Sequence, residues 1–159
     1  MKIREAERLK FIDKLPLSVK QEIKSVVETE LEKYRLWKYV MFQEREASVT
    51  GSWSETPKGF TGSVSDQTGN IAAYNVDTIV ERKAYCGRIE QAVSRLPDIE
   101  RKIITERYMQ RETVFNFVIF NQLLDPPISN GTYDKRRIHA MTKLSLMLNL
   151  KIKGLQDVF

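Results

Sequence analysis

Residues 128–148, ISNGTYDKRRIHAMTKLSLML, combine small polar side chains, three consecutive cations and apolar residues at helical spacing. Ser129 is a suitable N-cap, and the free backbone N–H groups of the turn after it suit a phosphate oxygen. Asn130 can pair with adenine, and Arg136 carries the paired donors that match guanine in a major groove. Gly131 and Thr132 are small enough to let a helix end enter such a groove. Tyr133, Arg137, Ala140 or Met141, and Leu144 follow three- and four-residue steps and form an inward row. Lys135, Arg136, His139 and Lys143 fall on other faces and are expected to stay in water. Arg137, although in the inward row, is expected to carry its charge outwards on its long stem. Ser129, Asn130, Thr132, Tyr133, Lys135, Arg136, Arg137, His139 and Lys143 therefore form the candidate DNA-binding set. The plainer alternative is a core helix with one solvated basic face.

The charge distribution bears on that choice. The chain carries a net charge of +5. Residues 131–153 hold six basic side chains against Asp134 alone, so the excess is concentrated on this segment. A negatively charged partner, nucleic acid or acidic protein, is the kind this favours.

Other chemistries find little support. One cysteine, Cys86, and one histidine, His139, supply neither a disulfide nor a Cys/His metal site nor a triad. Cys86 reads as a small buried hydrophobe and His139 as a half-exposed polar side chain. Glu28, Glu30, Glu32, Glu100 and Glu106 read as ordinary helix-surface charges. The glycines at 51–69 do not have phosphate-loop spacing. No enzyme activity, cofactor or metal is expected. No apolar run approaches the roughly 20 residues of a membrane span, and the charged start MKIREAERLKFIDK is unlike a signal peptide. A cytoplasmic protein of a bacterial host, with no membrane partner, is expected.

The elements that must position the basic helix read as all-α. Pro16 breaks a short charged helix, and Ser18 can cap a second one running to about Gln43. Its stripe of Ile23, Val27, Leu31, Tyr34, Trp37 and Met41 has helical spacing. Two readings stand for it: packing on the helix at 72–96 within one chain, or a homodimer seam anchored by Leu31, Tyr34, Trp37 and Met41. Residues 47–71 are rich in Gly, Ser and Thr and read as a loop, in which Trp53 and Phe60 are expected to pin the segment to a neighbouring surface. Helices are then expected over about 72–96, 99–109, with Asp98 as cap, and 112–124. A break at Asp125, Pro126 and Pro127 precedes the basic helix, about 130–149. The expected division is 1–46 for N-terminal helices, 47–71 for the loop and 72–159 for a helix-turn-helix bundle.

Several stretches carry a family resemblance. LPDIERKIITERYM, a following helix, and IS..TY.KRR..A..KL resemble the fourth region of bacterial sigma factors. SDQTGNIA, ERKAYCGRIEQAVSRLPDIERKIITERYM and TYDKRRIHAMTKLSLMLNL together resemble the ArpU family of phage and prophage transcriptional regulators, over about residues 15–150. The resemblance implies a helix-turn-helix, binding to double-stranded DNA and control of late phage genes. Asp134 departs from the basic or polar residue of related readers, and FNFVIFNQLLDPP is more apolar and richer in proline. Two rival readings from other classes are a phage DNA-packaging component and an adaptor that contacts host RNA polymerase.

Overall fold

A computed structural model describes residues 10–40 and 67–155, with side chains from residue 76 onward in the second stretch. All regular elements among the described residues are helical, as expected. After a helical turn at 10–14, α1 spans Leu17–Val40, α2 Gln67–Ser94, α3 Asp98–Ile104, α4 Asn116–Val118 and α5 Asn130–Met147. The helices α3 and α4 each run on into a wider π-helical turn, Thr105–Met109 and Ile119–Leu123.

Apolar spacing on α1 produces the expected buried face of Ile23, Val27, Leu31 and Tyr34. That face meets α5 and α2 in one core with Cys86, Ile89, Val93, Ala140, Met141 and Leu144. Burying Ile23, Val27 or Leu31 contributes about 1.5–3 kcal/mol each, so the stripe stabilises the fold of one chain. This corrects the dimer seam: Leu31 and Tyr34 are enclosed, Trp37 packs on Tyr85 at 4.7 Å, and Met41 lies outside the described residues. The same core unites the N-terminal helix with the rest, so α1 is not a separate unit.

Three tyrosine hydroxyls tie α1 to its neighbours through carboxylates. Tyr34 donates to Glu90 at 2.8 Å, Tyr85 to Glu30 at 2.5 Å, and Tyr108 to Glu28 at 2.7 Å. Burial, and then the hydrogen bond to a carboxylate, raises the pKa of each tyrosine.

Some expected boundaries move. The helix α2 begins at Gln67, inside the stretch expected to be loop, because a glycine such as Gly69 is tolerated in a first turn despite its loop-like composition. Asp98 does not cap α3; Pro97 holds that position and Asp98 pairs with Arg101 within the first turn. Trp53 and Phe60 lie outside the described residues.

A second, smaller core of Ile103, Ile119, Leu124 and Tyr133 holds α3, α4 and α5 together. The far end of α5 closes with Asn149 at φ 53, the left-handed conformation that asparagine tolerates. Leu150 N–H returns to Ser145 C=O at 2.9 Å, and the chain folds back so that Ile152 and Leu155 join the main core.

Candidate nucleic-acid interface

The start of α5 is built as its sequence suggests. Ser129 has extended backbone, and its hydroxyl accepts the Thr132 N–H at 3.3 Å. Asn130, Gly131 and Thr132 face solvent, and a Cβ placed on Gly131 would meet nothing within 4 Å. The inward row is also as expected, with Tyr133, Ala140, Met141 and Leu144 buried.

Tyr133 is 0% exposed, its hydroxyl donating to Asn116 Oδ1 at 2.9 Å and its ring 5.6 Å from that of Phe120. This removes Tyr133 from the contact set and gives it another role. Asn116 opens α4, so the hydrogen bond brings the starts of α4 and α5 side by side. Phe115 and Phe117, flanking Asn116, are both exposed. Sequence reading passed over them because their run reads as scaffold; the signal was an apolar residue on either side of a polar Asn116.

The cations of α5 are less free than their sequence implies. Lys135 reaches Asp13 at 2.9 Å, and His139 Nε2 lies 2.9 Å from the other oxygen of the same carboxylate. Lys143 holds Glu100 at 2.8 Å, and Arg136 stands 4.0 Å from it. Arg137 pairs with Asp134 one turn back at 2.9 Å and lies over the Tyr133 ring at 5.5 Å. The acidic residue at 134 is therefore the internal partner of the inward-row arginine. The hydrogen bonds from Lys135 and then His139 hold the Asp13 carboxyl below its ordinary value of 3.8.

Three sequence expectations are overturned here. His139 is not half-exposed: it is 3% exposed, between α5 and the segment carrying Asp13, which lies 126 residues away in the chain. Arg137 does not carry its charge outwards; its side chain is 11% exposed, with Nε buried and unpaired. Glu100 is not a surface charge but 1% exposed, and it makes Lys143 a link between α3 and α5. What remains in water at the tip is Ser129, Asn130, Gly131, Thr132 and Lys135, with Asp134 and Arg136 half-buried behind them.

Among the described residues no group of His, Cys, Asp or Glu could hold a metal ion, and no helix is long and apolar enough to cross a membrane. Cys86 is buried as expected, and burial raises its thiol pKa.

No family model matches the chain, and no solved structure matches it. The chain is similar to an uncharacterized phage-related protein from Listeria innocua. The two are 24% identical over 123 residues, covering 77% of this chain and 84% of that protein. This likeness supports a phage-related origin.

Proposed function

We propose that this chain is a DNA-binding regulator of phage or prophage transcription, without enzymatic activity, that presents the start of α5 to the major groove of duplex DNA. The observation that carries the reading is the division of α5. Its Ser129-capped start stands in water with Asn130, Gly131, Thr132 and Lys135, while Tyr133, Arg137, His139, Ala140, Met141 and Leu144 are withdrawn into the fold. In this reading α4 and α5 act as a helix-turn-helix, with the α4 start braced by Tyr133 beside the phosphate backbone. The likeness to an uncharacterized phage-related protein is compatible with a phage role, and the regulator reading itself rests on the sequence resemblance to the ArpU family.

In the bound state, Asn130 and Arg136 read base edges, and Lys135 exchanges the Asp13 carboxylate for a phosphate oxygen. The test is selection from a random duplex library, followed by titration of the selected site. Arg136→Ala or Asn130→Ala should lose about 1–3 kcal/mol at particular base positions. Equal binding by the wild type and by Lys135→Ala/Arg136→Ala would refute the assignment.

A second reading, an adaptor for host RNA polymerase, is favoured by the exposed Phe115 and Phe117. Phe115→Ala/Phe117→Ala would then abolish polymerase capture and leave duplex binding unchanged.

A further inference from the structure

The outer side of α2 is a helix face on which nothing among the described residues packs. Val76 and Val80 are each 59% exposed, and Ala84, Gly87, Gln91 and Ser94 continue the line in solvent. At about 100° per residue these six positions share one face, roughly 27 Å long. None of them is charged, although the residues on both sides are. Gly87 stands at mid-helix, where glycine is unfavourable, and a Cβ there would meet nothing within 4 Å. Among the described residues nothing occupies that gap.

The charges beside this line have a symmetry of their own. On one flank Asp77 and Glu81 precede Arg88 and, just past the end of α2, Arg95, and among the described residues none of the four forms an ion pair. On the other flank Lys83 precedes Glu90, whose Oε1 alone takes Lys38 and Tyr34. A second copy laid antiparallel across the face brings each flank against its own counterpart. Glu81 then meets Arg88, Asp77 meets Arg95 and Lys83 meets Glu90, and all three pairings centre between Ala84 and Gly87. The same centre places the smallest side chains where the helices cross. A parallel copy would instead set opposite flanks together, Glu81 near Lys83 and Arg88 near Glu90, and would leave Asp77 and Arg95 without a counterpart.

We propose that the outer face of α2 is the two-fold interface between two copies of this chain. Val76 and Val80 of each copy pack beside Gln91 and Ser94 of the other, and Gly87 admits close approach of the backbones. Such a self-complementary patch is what a closed two-fold dimer requires. This interface lies on a different helix from the seam expected at Leu31 and Tyr34, and it leaves the α5 start uncovered.

The test uses the full chain in sedimentation equilibrium over a range of concentrations. Wild type should form dimers. Glu81→Arg alone and Arg88→Glu alone should each weaken self-association about tenfold or more, because each places like charges opposite one another twice. An equimolar mixture of these two variants should form heterodimers of near wild-type strength, since both cross-pairs are then opposite in sign. Gly87→Leu should give monomers, with helix content by circular dichroism unchanged. A wild type that stays monomeric would overturn the proposal. So would charge variants that associate as wild type does, or a mixture that fails to recover.

Discussion

Glu100 of α3 and Lys143 of α5 are joined by two contacts, at 2.8 and 3.0 Å, with Glu100 withdrawn from solvent. Ile103, three residues after Glu100, belongs to the smaller core, and Leu144, the neighbour of Lys143, to the larger. Removal of the pair is expected to be felt in stability before binding. Lys143→Ala strands the buried Glu100, and breaking a buried pair this way costs about 3–5 kcal/mol; Arg136, 4.0 Å from the carboxylate, places this case at the low end. Urea unfolding of Glu100→Ala, Lys143→Ala and the double variant should show strong coupling. Additive effects would show that the pair does not act as a unit.

The carboxylate of Asp13 joins the segment before α1 to α5 through Lys135 and His139. Its folded pKa is lowered, so its contribution is present above the ordinary 3.8 and lost as pH falls below that value. Glu90, lowered chiefly by Lys38, behaves in the same sense below its ordinary 4.5. Asp13→Asn should remove part of the acid-dependent loss of stability, read from unfolding curves over about pH 2–4. A pH profile identical to wild type would contradict this.

The tyrosines set the alkaline side. Tyr34, Tyr85 and Tyr108 all have raised pKa values in the fold. Their stabilising effect is complete below the ordinary value of 10.0 and declines as pH rises above it, because the unfolded chain ionises first. Tyrosinate absorbance of the native protein should lag behind that of the unfolded chain, and the native state should weaken above pH 10. Tyr34→Phe and Tyr85→Phe should each reduce that alkaline sensitivity.

Tyr133 separates support from contact. Tyr133→Phe keeps the ring and leaves Asn116 without its donor, at a cost of about 1 kcal/mol. Tyr133→Ala opens a hole in the smaller core and should cost about 3–5 kcal/mol. If Tyr133 positions the start of α5, both variants lose binding in proportion to lost order at the tip, read by hydrogen exchange of the 130–133 amides. Weaker binding with unchanged exchange would make Tyr133 a direct contact instead.

Local patterns were legible in the sequence, and long-range partners were not. The Ser129 cap, the inward row of Tyr133, Ala140 and Leu144 and the α1 stripe at Ile23, Val27 and Leu31 follow from periodicities that act within one helix. Periodicity shows which face is buried but not what it meets, so the α1 stripe also admits a seam between chains. His139 and Asp13 lie 126 positions apart, and Glu100 and Lys143 lie 43 apart. Nothing within either segment announces such pairings, so the net charge over 131–153 overstated the cation content exposed on α5. The Arg137–Asp134 pair, by contrast, was within reach: its spacing is that of an ion pair on one helix.

The wide turns that end α3 and α4 place a constraint on how this chain tolerates insertions and deletions. In the second, Leu124 N–H reaches back five residues to Ile119 C=O at 3.0 Å, so each such turn holds one residue more than an α-helical turn. Deleting a single residue from Thr105–Met109 would return the ladder to ordinary α spacing, and the chain beyond it would keep nearly its direction, because the wide turn takes up its extra residue within one turn. Length is therefore loosely coupled to orientation at these two places. A relative one residue shorter there keeps the course of the chain into 110–114, provided that the residue lost is not Tyr108, which bonds Glu28.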